Sequence, residues 1–421
     1  MGTSGVRSTG LDTARPAARA GRRPWRVAAA AVAAGVVLLS AGCSGDKSPS
    51  WQNGSQGSGG NAQSPSPTPT QSTVAVTTPA PDAKDVVAIT DIKYDSEDPE
   101  NTSVEVKDAD GDAVKGELDK DAKVFRPAKA LNYGTTYTVT VTGTATEGKS
   151  GTSTASFTTM AKPSKQVRVS SFLGDGQVVG VGMPLIVRFG RSVPEKYRGD
   201  VEKRMTVNAT PQQEGTWHWI SPTEIHYRPK TYWKPYSKVS YQVKLAGVPM
   251  GNDWYGRSDL GVDLKIGRSF VMTVENKTKR MTVRQDGKVI NTIPVSLGKP
   301  STPSSSGTMV VMEKKEHTVF DTIAELGPEE GYRTKIDFAQ RITWSGQFIH
   351  AAKWSEGVQG RTNVSHGCIN VSEKMGKWLF DRTMMGDPVT VSGTGSKLKN
   401  GNGWTDWNMS WDQYKQGSAL S

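Results

Sequence analysis

The residues best suited to covalent chemistry lie in Ser365-His366-Gly367-Cys368-Ile369-Asn370, with His350 eighteen residues upstream in Gly346-Gln347-Phe348-Ile349-His350. Three of the chain's five histidines, His317, His350 and His366, fall in the stretch that ends just before Cys368. A thiol attacks a carbonyl as thiolate, and an imidazole that takes its proton supplies that species at neutral pH. Glycine beside the cysteine lets backbone approach a substrate and aim N–H groups at a developing oxyanion. Two other chemistries use the same residues. Cys368, His350 and His366 could ligate zinc, although the usual short ligand spacings and a further carboxylate motif are absent. A small cysteine could also be inert packing, although Gly and His neighbours make a poor apolar pocket.

The elements around this cluster are mainly strands. Phe270–Val274, a turn at Asn276-Lys277-Thr278, Arg280–Val283, the turn Asp286-Gly287 and Val289–Val295 read as successive hairpins, because Asp-Gly between alternating runs is a strong turn signal. After Cys368 a helix is expected, with Ser372 as N-cap, apolar Met375, Trp378, Leu379 and Met385, Gly386 as C-cap and Pro388 as stop. These elements define a unit over 266–393 and place Cys368 in a loop between rigid segments. A flexible lid is expected between Lys315 and Gly331, where Gly327-Pro328 punctuate the chain. Beyond it, residues 394–421 carry Trp404, Trp407, Trp411 and Tyr414, spaced as one aromatic stripe of a helix that packs on the preceding units.

Upstream, short alternating runs such as Thr102–Val106 and Tyr137–Thr142 predict a β-sandwich over 84–162. Phe125-Arg126-Pro127 followed by Tyr137-Thr138-Val139 recurs as Tyr227-Arg228-Pro229 followed by Tyr241-Gln242-Val243. The offsets imply a second copy over 163–265, hence two tandem Ig-like sandwiches that serve as spacers. Trp217, His218, Trp219, Tyr232 and Trp233 could form a sugar-stacking face, but core and interdomain packing accounts for them better.

The first forty-two residues read as an address. Arginines up to Arg26 lead into the apolar run Val27–Leu39 and then Ser40-Ala41-Gly42-Cys43, the pattern of a secretory signal and too short for a comfortable membrane span. Small residues directly before Cys43 resemble the bacterial lipoprotein signal, with Ser40 where leucine is usual; the alternative is an ordinary cleaved signal. Residues 43–83 are rich in Ser, Gly, Pro and Thr and are expected to be a disordered tether. The 421-residue chain has a formal charge of +11, but six arginines against Asp12 alone precede Cys43, so the remainder is only mildly basic. That balance suits an anionic wall or membrane face and gives no support to nucleic-acid binding. Two cysteines exclude a disulfide-stapled scaffold.

The run Gly346–His350 with Trp354, Gly360, Asn363 and Ser365–Asn370 resembles the signature of the L,D-transpeptidases, the YkuD-type catalytic domain that cross-links bacterial peptidoglycan. The lipoprotein-like start, two Ig-like modules and Trp-rich end resemble the large actinobacterial members. The resemblance implies a mainly β fold, with Cys368 as nucleophile, His350 as base and His366 supporting the loop. Gly367 and Cys368 would supply oxyanion N–H groups, with the hydroxyl of Tyr332 pointing at the same hole. Trp354, Asn370, Ser365 and Phe320 would line the substrate pocket, and no cofactor or metal is implied. Where relatives often carry Ser after the base, Ala351 stands here; the implied role needs only its main-chain carbonyl. The implied reaction takes an acyl group from a donor tetrapeptide stem, releases D-alanine and passes the acyl group to an acceptor amine, giving a 3→3 cross-link. Carbapenems would acylate the thiol, and Cys43 would tether the exported enzyme to the extracytoplasmic membrane face within reach of the cell wall. The rival readings are an L,D-carboxypeptidase and a noncatalytic wall-binding lipoprotein.

Overall fold

The computed structural model describes residues 73–144, 150–321, 329 and 333–421. Cys43, the apolar run before it and Tyr332 lie outside the described residues. The first module pairs two four-stranded sheets. One runs Val74–Thr78, Ile92–Ser96, Val124–Pro127, Gly116–Asp119; the other runs Ala83–Val86, Ser150–Thr159, Thr136–Thr144, Thr102–Lys107. In Thr136–Thr144 the period of two points Tyr137, Val139 and Val141 into the core and leaves the intervening threonines more exposed. The module starts earlier than the expected boundary at 84. Val74–Thr78 pairs with Ile92–Ser96, and Val76 enters the core, so the last part of the presumed tether is strand.

The second module repeats the plan. Glu224–Pro229, which holds Tyr227-Arg228-Pro229, is third in its sheet, as Val124–Pro127 is in the first module; Lys238–Val243 and Thr136–Thr144 correspond in the same way. Trp217, Trp219 and Trp233 are buried in its core, which favours packing over a sugar-stacking face. That core continues into the next unit through Val310 and Met312, while Gly180 and Gly182 donate N–H groups to the carbonyls of Met385 and Gly386.

The third unit has a six-stranded sheet ordered Lys288–Pro294, Arg280–Gln285, Phe270–Glu275, Pro388–Ser392, Ser305–Val310, Ser396–Lys397. A second sheet runs Glu313–Asp321, Arg333–Arg341, Phe348–Ala351, Ile369–Val371. Helix Glu373–Arg382 starts as expected, with Ser372 Oγ accepting from Met375 N, but it ends at Thr383 rather than Gly386. The reason is local: Thr383 Oγ1 bonds back to Leu379 O, and the following turn is tied by Met384 N–H to Asp387 Oδ2.

The C-terminal segment is not one helix. A 3-10 turn at Asp406–Asn408 and a short helix at Trp411–Lys415 divide the aromatic stripe. Trp407, Trp411 and Tyr414 instead surround the buried guanidinium of Arg228, at 4.6, 5.3 and 4.3 Å from their ring centres. Next to them His226 is sealed between two carboxylates, Nδ1 at 3.0 Å from Asp406 Oδ1 and Nε2 at 3.0 Å from Glu224 Oε1. Burial alone would lower its pKa, yet Asp406 and Glu224 raise it to about 9. The tail is thus fastened to the second sandwich by a buried imidazolium. Because the folded pKa is raised, this stabilisation is complete below the ordinary histidine value and disappears as pH rises through about 9. Thermal melts of the wild type should lose stability across that window. Asp406→Asn, which leaves the charge half-partnered, should lose about 3–5 kcal/mol at neutral pH and flatten the dependence.

Candidate active site

The short parallel pairing of Phe348–Ala351 with Ile369–Val371 sets the site. His350 faces Asn370 across the ladder, so Cys368, two residues before Asn370, is its diagonal neighbour on the same sheet face. Cys368 ends a loop held by serines. Ser365 Oγ donates to Cys368 O at 2.7 Å and accepts the Gly367 N–H at 3.1 Å, while Ser304 Oγ donates to Gly367 O at 2.8 Å. Asn370 and Ser296 exchange main-chain hydrogen bonds on the far side. Gly367 has φ +122, a region closed to side-chain-bearing residues, although a Cβ there would meet Gln347 only at ordinary contact distance. Glycine is required for its backbone conformation. This corrects one expectation: the Gly367 N–H already serves Ser365 and is not available as an oxyanion donor.

The imidazole is fixed by its own strand. His350 Nδ1–H donates to Ala351 O at 2.8 Å, so alanine performs the main-chain task and Nε2 carries the basic lone pair of the neutral ring. Burial holds the ring's pKa below the usual histidine value, against opposing effects of the Ala351 carbonyl and Asn370. Burial likewise pushes the Cys368 thiol up to about 12, although the Phe348 N–H and the Arg341 cation favour the thiolate. The resting pair is therefore neutral thiol and neutral imidazole. The sulfur lies 3.8 Å from Gly346 O, to which its S–H points; among the described residues no hydrogen bond joins it to the His350 ring.

Both groups open into a cavity of about 240 Å³. Of the residues singled out from the sequence, Cys368, His350, His366, Ser365, Asn370, Trp354 and Phe320 line it. Trp354 stands at the mouth, 69% exposed, and His366 is exposed. Phe320 packs edge-on against Phe348, with ring centres 5.6 Å apart. His317 is elsewhere, paired with Asp337 at 2.8 Å on the exposed hairpin Glu313–Asp321/Arg333–Arg341. Thr334 and Ile336 complete the lining and were not foreseen, nor was the Ser304 clamp. The alternation of Arg333–Arg341 could have suggested the first two, whereas a serine among Thr302–Ser306 carries no such signal. A larger, open hollow beside helix Glu373–Arg382 has Lys377, Trp378 and Arg382 in its wall but no cysteine, serine or histidine. Among the described residues, no group of three or more His, Cys, Asp or Glu side chains is arranged to hold a metal ion.

A buried thiol beside an oriented neutral base, in a cavity open to solvent, is suited to acyl transfer. The L,D-transpeptidase catalytic domain family (YkuD) matches residues 269–391, and a bacterial Ig domain family matches 83–249. L,D-transpeptidase 2 of Mycobacterium tuberculosis is 35% identical over 314 residues, covering 73% of this chain and 76% of that protein. The chain belongs to the L,D-transpeptidase family. L,D-transpeptidase 5 of the same species is 33% identical, covering 81% of this chain and 76% of its own length. Among solved structures, the L,D-transpeptidase LdtMt1 in complex with imipenem is 32% identical, covers 53% of this chain and 97% of that one, and has a TM-score of 0.46. This L,D-transpeptidase is thus an enzyme of a family that catalyses peptidoglycan cross-linking.

The serine clamp gives a direct test. Ser365→Ala should leave the Gly367 N–H without its partner, at about 1–3 kcal/mol, and the Cys368 C=O with the longer bond from Ser304 Oγ at 3.5 Å. Thiol acylation should fall by at least about ten-fold in stopped-flow fluorescence, with a lower melting temperature.

Proposed function

We propose that the chain is a peptidoglycan L,D-transpeptidase that works through a thioester on Cys368. The observation that supports this most is the placement of Cys368 and His350 on one cavity wall, with Nδ1 of the ring committed to Ala351 O. Because both groups rest neutral, the thiol proton moves to His350 Nε2 as sulfur attacks the carbonyl of the third residue of a donor tetrapeptide stem. Negative charge collects on the carbonyl oxygen, where the Cys368 N–H is the remaining main-chain donor of those expected and the Tyr332 hydroxyl a second. The imidazolium returns its proton to the amine of the departing D-alanine, leaving a thioester. The side-chain amine of a neighbouring stem then attacks, gives its proton to His350 and forms a 3→3 amide; sulfur leaves and is reprotonated. The thioester conserves the energy of the broken peptide bond, so no nucleotide is consumed.

His366 and Ser365 support the loop, while Trp354, Asn370 and Phe320 shape the donor channel. We further propose that export and lipidation at Cys43 place the enzyme on the extracytoplasmic membrane face, within reach of the wall. Carbapenems, whose strained carbonyl presents the same electrophile, would acylate Cys368. Water in place of the acceptor amine would give L,D-carboxypeptidase activity from the same thioester.

Incubation of the mature protein with disaccharide-tetrapeptides should yield dimers carrying a 3→3 bond, read by tandem mass spectrometry, and Cys368→Ala should yield none. Tripeptide monomers alone would identify a carboxypeptidase, and unchanged carbapenem labelling of Cys368→Ala would remove the nucleophile assignment. The pH profile follows from the lowered imidazole pKa. The base form persists through neutrality, so the acylation rate should hold level down to about the ordinary histidine value, roughly 6.5, and fall only at more acidic pH.

A further inference from the structure

The turn Thr343–Gln347 joins strand Arg333–Arg341 to the strand carrying His350 and presents Gly346 to the thiol. At one end of the turn, Gly346 O takes the Cys368 S–H, and a Cβ on Gly346 would lie 3.4 Å from the ring of Phe320. At the other end the C-terminal tail grips it. Ser345 N–H donates to Asn402 Oδ1 at 2.9 Å, and Asn402 Nδ2 donates to Ser345 Oγ at 2.9 Å. Next to this pair Trp404 packs edge-on against Trp344, with ring centres 6.2 Å apart, and against Phe172 of the second sandwich at 4.8 Å. At Gly403, φ is +115, and a Cβ would stand 3.1 Å from Ile342 O, so the tail backbone runs close along the base of the turn. Ser345 and Gly346 are adjacent in a turn closed by the Gly346 N–H on Thr343 O at 3.4 Å and the Gln347 N–H on Thr343 Oγ1 at 2.9 Å, and these bonds hold the soft torsions between them. A shift at Ser345 therefore reaches the Gly346 carbonyl through the bonded turn.

We propose that Asn402 is a positioning residue for Cys368: by fixing Ser345 it sets the Gly346 carbonyl, and through it the sulfur orientation from which the proton passes to His350. The inference rests on the reading of Cys368 as nucleophile. Asn402 touches neither the thiol nor the cavity lining, so it acts on the rate of the step and not on ligand capture.

The test is acylation of the mature protein by imipenem, followed by intact mass and stopped-flow fluorescence. Asn402→Ala should lower the limiting acylation rate about five-fold, the scale of one lost hydrogen-bonded pair, with the half-saturating concentration unchanged. Asn402→Asp keeps Oδ1 for the Ser345 N–H and lets the Ser345 hydroxyl turn to donate, so it should restore the rate. Ser345→Ala should slow acylation too, and the double variant with Asn402→Ala should be no slower than Asn402→Ala alone, since both remove one linkage. A wild-type rate in Asn402→Ala, a loss confined to half-saturation, or multiplied losses in the double variant would overturn the proposal. Should Asn402→Ala not fold, Ser345→Ala decides by the same split between limiting rate and half-saturation. If wild type takes no adduct on Cys368, the nucleophile reading fails first, and that outcome is distinct from the others.

Discussion

Removing a thiol and an imidazole from water together is the constraint on which the remaining architecture depends. Desolvation raises the cost of thiolate and imidazolium alike, so the pair rests uncharged and, in the proposed reaction, charge has to be created during attack. Such a pair works only when the ring is already correctly turned, because no standing ion pair holds it in place. The Ala351 carbonyl supplies that orientation from the same strand. The Phe348 N–H and Arg341 lean towards the thiolate without being strong enough to form it at rest. A thiol kept in this state is protected from adventitious oxidation and alkylation, which attack the thiolate.

Much of this was readable in the chain, for a physical reason. Reactive groups need particular residue types, and Cys368, His350 and Gly367 have few substitutes for a thiol, a base and a positive φ. The hairpin at Asp286-Gly287 was readable because both residues tolerate the positive φ they adopt. Contacts made by common residues were opaque. Ser304 and Ser365 are ordinary serines until the fold brings their hydroxyls to the loop carbonyls, and the loss of the Gly367 N–H as a donor follows from that arrangement alone. The helix end was misplaced because glycine was read as a cap where a tertiary contact needed it: a Cβ on Gly386 would lie 2.5 Å from Met183 Cβ.

The two sandwiches show how one motif takes different roles. In the first, Arg126 stays at the surface with Asp119 at 2.9 Å. In the second, the matching Arg228 is sealed beneath three aromatic rings of the tail. The strand position is shared; the covering segment differs. Spacing of the aromatics suggested a single helix, yet their common target was a cation on another module, which a pattern read along one segment cannot reveal.

The continuous core running from the second sandwich into Val310 and Met312 bears on how the molecule can be divided. A fragment cut near residue 267 would leave Val310 and Met312 open where the second sandwich had covered them, and its tail would keep its hold on Ser305–Ser306 and Ser345 but lose Arg228 and His226. A piece that keeps this core and the anchors of the tail therefore begins no later than Gln166 and runs to Ser421, and removing the first sandwich would in turn uncover the seat of Ile89 on the second module's core.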